Sequence, residues 1–301
     1  MKYFISLFLL FTIIVSSFGQ RGKFITNATV SGAIGTCTYY GDLSPYRHPL
    51  TGFLKSSSFN SSFHYTIEIN ERRAHSLGIY FSELKGSDYK YNHNSRIFFP
   101  SNYIRGLHFR NQSLQIEFSE KIYFIDNQST IDRKRNNFLP YLTIGMGLLY
   151  NNPSAREAFS NTKGSWVKLR PLNTQGNTKK YAAILPFIPL GLGFNKKINR
   201  RMDFKAQGRV NVCFSDVLDD VTETPYLLSE SFSNKKVFAF HNRINEPIDA
   251  LTGEIRSTNV LTNEAKQQLT NRGANSSIFT KYDLFITTEF GIIYWLDWKI
   301  R

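Results

Sequence analysis

The chain has 301 residues, with 37 Lys and Arg against 23 Asp and Glu, a formal charge of +14, a mean hydropathy of −0.31 and two cysteines. Two cysteines exclude a disulfide framework, and an aromatic content of 15% is high for a disordered chain. A basic chain of this kind attracts nucleic acid, anionic lipid or an acidic protein, and the N-terminus argues against the first of these.

The opening stretch, MKYFISLFLLFTIIVSSFGQ, carries Lys2, an apolar run from Phe4 to Val15, and the small residues Ser17 and Gly19. It reads as a secretory signal peptide over 1–19, leaving a single domain over 20–301. No later run is long and apolar enough for a membrane helix, so if the exported chain sits in a membrane it is a closed barrel.

From there the pattern is alternation. In FNSSFHYTIEIN (59–70), Phe59, Phe63, Tyr65, Ile67 and Ile69 share one face and Asn60, Ser62, His64, Thr66 and Glu68 the other. Alternating runs recur around 30–37, 77–82, 114–119, 142–148, 184–194, 202–212 and 284–296. That makes eight predicted strands, an even number that closes a small barrel. The run from Met202 to Val212 places Asp203, Lys205, Gln207, Arg209 and Asn211 on one face. A lumen with paired charges accommodates such a face, whereas a soluble lipocalin-like barrel, the other reading, would leave it outside. Connections alternate in length: 70–73 and 195–201 are short, while 41–58, 86–100, 151–180 and 215–280 are long. The expected fold is therefore all-β, an eight-stranded antiparallel transmembrane β-barrel with short periplasmic turns and long outer loops. Tyr39, Tyr40, Tyr80, Phe81, Tyr150, Trp295 and Trp298 lie near strand ends and are candidate girdle aromatics.

Charge is unevenly placed. The segments expected on the periplasmic rim hold thirteen basic residues, among them Arg72, Arg73, Arg133, Lys134, Arg135, Lys196, Lys197, Arg200 and Arg201, against four acids. The long segment 215–280 is acidic, with nine acids against six bases. Such a rim would attract and orient an acidic periplasmic partner.

Sharper chemistry finds little support. Asp216, Asp219 and Asp220, with His241 further along the loop, invite a rim protease or a calcium site, but their spacing matches neither; turn-forming aspartates that accept from backbone N–H groups are expected instead. The six histidines show no metal-ligand spacing. Gly191 and Gly193 are read as lumen-facing residues that leave room, and 262–269 as a short helix that plugs or gates the barrel. Cys37 and Cys213 lie on strands that both neighbour the last one, too far apart to bridge. No catalytic residue, metal or cofactor is expected, and a lumen filled with charged side chains is expected to hold the barrel rigid.

Several stretches, in order, resemble a known family: YYGDL (39–43, with Tyr40, Gly41 and Asp42), FLPYLTIGMGLLYNNP (138–153), LRPLNTQG (169–176), IPLGLG (188–193), SDVLDDVT (215–222), and then Arg272-Gly273 and Tyr282-Asp283. This set is similar to the Bacteroidetes outer-membrane β-barrel family that includes PorG, a component of the type IX secretion system. It departs at Gln175 and Val217, where those proteins more often carry Glu and Tyr. The last strand, with Glu289, Gly291, Tyr294 and Leu296, also resembles a barrel assembly signal. The resemblance implies a non-enzymatic integral outer-membrane subunit, surrounded by outer-membrane lipid and in contact with periplasmic secretion-ring proteins. A small porin and a structural envelope protein without a secretion role are the other readings.

Overall fold

The computed structural model describes residues 26–44, 56–89, 100–127, 136–158, 160, 162–176, 180–222, 224–232, 234–256, 263, 271–273 and 282–300. The signal-peptide segment lies outside these residues, as does the 262–269 helix apart from Asn263.

Eight long strands carry the fold: β1 (Thr26–Tyr40), β2 (Ser58–Asn70), β3 (Arg73–Ser87), β4 (His108–Tyr123), β5 (Phe138–Tyr150), β8 (Ile184–Lys197), β9 (Met202–Cys213) and β10 (Leu284–Ile300). Two short strands, β6 (Ser154–Arg156) and β7 (Trp166–Lys168), form a hairpin beyond β5. The helices are short: α1 (Pro100–Arg105), α2 (Leu169–Leu172) and α3 (Lys235–His241). All pairings are antiparallel, and neighbours run β3-β2-β1-β10-β9-β8-β5-β4, with β3 paired to β4. That last pairing closes the sheet and leaves the eight long strands without an edge.

The polarity is inside out. Outward residues are large and apolar: Ile34 is 64% exposed, Phe63 54%, Ile116 53% and Leu192 60%. Inward residues at the same levels include Lys205, Arg209, Glu117 and Glu289, all buried. No water-soluble fold would leave that belt in water while enclosing those charges. In a bilayer the same arrangement is favourable, because the belt meets acyl chains and every strand is paired. The chain is an outer-membrane β-barrel protein. Strands of 12 to 17 residues exceed what a tilted span needs, so their ends project past the membrane.

The phases read from sequence hold on every long strand, but most of the girdle assignment does not. Tyr39, Tyr80 and Trp295 are buried and face inward; Tyr40 stands on the outward phase of β1 but is buried; Phe81 and Tyr150 face out. Alternation decides this, since Tyr80 falls between outward Ile79 and Phe81. The outward aromatics at the short-turn end are different residues. Phe138, Phe194, Phe204 and Phe290 form a run of rings on β5, β8, β9 and β10, with successive centroids 5.1, 6.3 and 6.4 Å apart.

Candidate functional site

The interior has three tiers. At the long-loop end Cys37, Tyr39, Leu84, Phe109, Leu149, Phe187, Cys213 and Phe285 pack against Leu43, Leu107, Leu218 and Val221 from the loops. At the short-turn end Ala74, Tyr123, Leu139 and Tyr141 form a smaller cluster. Between them lies an ionic layer, so apolar side chains close the lumen on both sides of its charges. Cys37 and Cys213 sit in the outer tier as free thiols, on strands that both flank β10 as expected.

The ionic layer centres on Glu289, which the sequence marks only as one polar residue of the last strand. Its carboxylate lies 3.2 Å from Lys205 Nζ and 3.3 Å from Arg209 Nη2, and accepts from Asn60 Nδ2 at 2.9 Å. Arg209 also reaches Glu117 at 2.5 Å, with its guanidinium 4.1 Å from the Tyr80 ring centre. Lys205 Nζ lies 3.1 Å from His64 Nε2. Towards the short turns, Tyr123 donates to Glu68 at 2.9 Å and Trp295 Nε1 to Asp203 at 2.7 Å. Of the expected charge network, Glu117, Lys205 and Arg209 meet through Glu289, with His64 against Lys205, while Glu68 and Asp203 bond to Tyr123 and Trp295 nearer the short turns. Gly191 and Gly193 make room as read: a Cβ at 191 would sit 2.4 Å from Arg209 Cγ, and one at 193 would sit 2.6 Å from Tyr141 Cζ. Paired charges of this kind resist rearrangement.

The dispersed motif residues converge at the outer mouth. Tyr39 Oη lies 2.6 Å from Asp219 Oδ2 and 2.8 Å from Asp283 Oδ1. The other oxygens of the two acids accept from Val221 N and Leu218 N, at 2.9 and 2.8 Å. The single phenolic hydrogen of Tyr39 is thus directed at two carboxyl groups. Burial, and then the facing Asp283 and Asp42, push Asp219 well above the ordinary carboxylate range; burial and Asp216 do the same to Asp283. Asp219 thus caps a backbone N–H as expected, but Asp220 does not. Asp220 adopts a left-handed φ of 68° and turns its carboxylate to Thr174, to Tyr181 at 2.9 Å and to Arg272 at 3.8 Å. Arg105 ties the layer together, donating to the backbone oxygens of Asp42 and Arg272 at 2.7 and 2.6 Å and pairing with Asp88. Gly41 and Gly273 are required by proximity: a Cβ on either would come within 2.7 Å of a carboxylate oxygen, of Asp283 and Asp42 respectively.

His241 is structural in this setting. Its Nδ1 donates to the Thr174 carbonyl at 2.7 Å and its Nε2 accepts from Leu227 N at 2.9 Å. Burial, then the Arg272 charge, hold its imidazole down at about 4. Both ring nitrogens are occupied, which removes the general-base role that the loop position had invited.

The basic residues gather at the opposite end. Arg72, Lys196, Arg200 and Arg201 are exposed, and Arg73 and Lys197 half-buried. Arg72 pairs with Asp126 at 2.5 Å and Arg73 with Glu120 at 3.4 Å. Arg133, Lys134 and Arg135 lie outside the described residues.

No family model matches the chain, and no curated protein matches it. Solved structures do match in outline. Neisserial surface protein A (NspA) is 10% identical with a TM-score of 0.39, over 89% of this chain and 96% of that one. The attachment invasion locus protein Ail of Yersinia pestis is 8% identical with a TM-score of 0.36, over 91% and 100%. OprG from Pseudomonas aeruginosa is 8% identical with a TM-score of 0.36, over 90% and 96%. At these values the likeness says nothing of what this chain binds.

Proposed function

We propose that this chain is a non-enzymatic outer-membrane subunit of the type IX protein secretion system, similar to PorG, and that its short-turn rim docks an acidic periplasmic partner. The observation that carries the reading is the gathering of Arg72, Arg73, Lys196, Lys197, Arg200 and Arg201 at one end of the barrel. A rim of that sign raises the encounter rate of an acidic surface and orients it, at a rate that falls with salt. The closed, charge-filled lumen supports a docking role over a porin role, since a conducting pore needs a continuous water path. The motif order across the chain supports the family assignment.

The test is a gentle-detergent pull-down of the tagged chain from native envelopes, washed first at low and then at high salt. Periplasmic secretion-ring proteins should co-purify at low salt and leave at high salt. Lys196→Glu, Arg200→Glu and Arg201→Glu together should abolish the capture without changing barrel assembly. Recovery of the barrel alone under both washes would overturn the secretion role.

A further inference from the structure

The outer end carries a second basic surface that no stretch of sequence displays. It is assembled by register. Antiparallel partners point to the same face, and Arg110 on β4 opposes both Lys85 on β3 and Ser154 on β6. Ser154 in turn opposes Lys168 on β7, and Arg156 opposes Trp166. Arg110 is outward, in phase with exposed Leu114 and Ile116, so Lys85, Arg110 and Lys168 form one outward row, with Arg156 and Trp166 beside it.

Trp166 organises this patch. The Arg156 guanidinium lies 5.1 Å and that of Arg110 5.7 Å from its ring centre, flattening two cations against one indole. Arg156 is fixed further by its N–H to His108 Nε2 at 2.9 Å and by Nη1 to the Gly164 carbonyl at 3.2 Å, while its Nε has no hydrogen-bond partner. Among the described residues, one ion pair on this face joins Arg110 to Glu83, which shares its outward phase.

The height of the patch decides what it meets. Phe81 opposes Leu114 in the last apolar row. Arg110 lies four positions further along the strand, about 13 Å, or about 10 Å along the membrane normal at a tilt near 40°. Long cationic side chains rooted there reach back towards the apolar boundary, into the headgroup layer of the outer leaflet. Tryptophan is favoured at the same depth.

We propose that Lys85, Arg110, Arg156 and Lys168, held around Trp166, bind the phosphate groups of a phosphorylated glycolipid in the outer leaflet. The guanidinium forks suit phosphate oxygens, and the neighbouring belt of Phe81, Leu114 and Tyr150 receives the acyl chains.

Native mass spectrometry of the folded chain in detergent tests this, with bis-phosphorylated lipid A and its dephosphorylated form as probes. The phosphorylated lipid should be retained at least tenfold better. Arg110→Ala with Arg156→Ala should remove that preference, and heat-modifiable migration checks that the variant is folded. Should that variant fail to fold, Lys85→Gln with Lys168→Gln reads the same surface and should weaken retention several-fold. Equal retention of both lipids, unchanged retention by the folded variants, or full displacement by millimolar inorganic phosphate would each overturn the proposal.

Discussion

Glu289→Ala is the most informative single change in the lumen. The carboxylate is fully buried and contacts Lys205, Arg209 and Asn60 at 3.2, 3.3 and 2.9 Å. Removing it leaves Lys205 with no carboxylate contact in the layer, while Arg209 keeps Glu117. Loss of one partner from a buried ion pair costs about 3–5 kcal/mol, most of it the penalty of stranding the other charge. Because Arg209 retains a carboxylate and Lys205 keeps only the His64 ring, the loss should come mainly from Lys205. Urea unfolding of the barrel in lipid vesicles, followed by tryptophan fluorescence and heat-modifiable migration, measures it. Lys205→Met added to Glu289→Ala should recover much of the loss, because the stranded cation is then gone. A single variant within about 1 kcal/mol of the parent would refute the view that this layer holds the barrel rigid.

Other outcomes follow from the same geometry. Gly191→Val should destabilise the barrel by about 1–3 kcal/mol in the same assay, because the new side chain meets Arg209 and the Gly208 carbonyl and overpacks the lumen. Planar bilayers carrying the chain should show no steady ion conductance, since apolar tiers close the lumen on both sides of its charges. The outer cap should loosen in acid. The His241 imidazole is held at about 4, below its unfolded value near 6.5, so its contribution is present above pH 6.5 and is lost as pH falls towards 4. Limited proteolysis of the 215–283 loop across that range reads the change, and His241→Gln should flatten it. The Tyr39 bridge predicts the opposite limb. Asp219 and Asp283 are raised, so their contribution is full in acid and is lost as pH climbs through their folded values. Asp219→Asn, which keeps a hydrogen-bonding group and cannot ionise, should reduce that alkaline loosening.

The sequence by itself determined the strands, their phase and the side that meets lipid. A strand has a period of two, so a run such as 202–212 sorts Asp203, Lys205, Gln207 and Arg209 onto one face before any partner strand is known. Identities along a single strand are enough for that. They also marked Gly191 and Gly193 as lumen residues and gathered basic turns at one end, because these are statements about alternation and connection length. Tertiary structure decided which charges pair, and that Glu289 is the hub of the lumen. It decided that Tyr39 bridges Asp219 and Asp283, residues 180 and 244 positions away, and that His241 serves the backbone. The physical reason is the same in each case. Hydrogen bonds and ion pairs act over about 3 Å, and the β3–β4 closure together with the β6–β7 hairpin sets Lys85, Arg110, Arg156 and Lys168 near one another. Periodicity is a property of the chain, whereas proximity between distant residues belongs to the closed sheet.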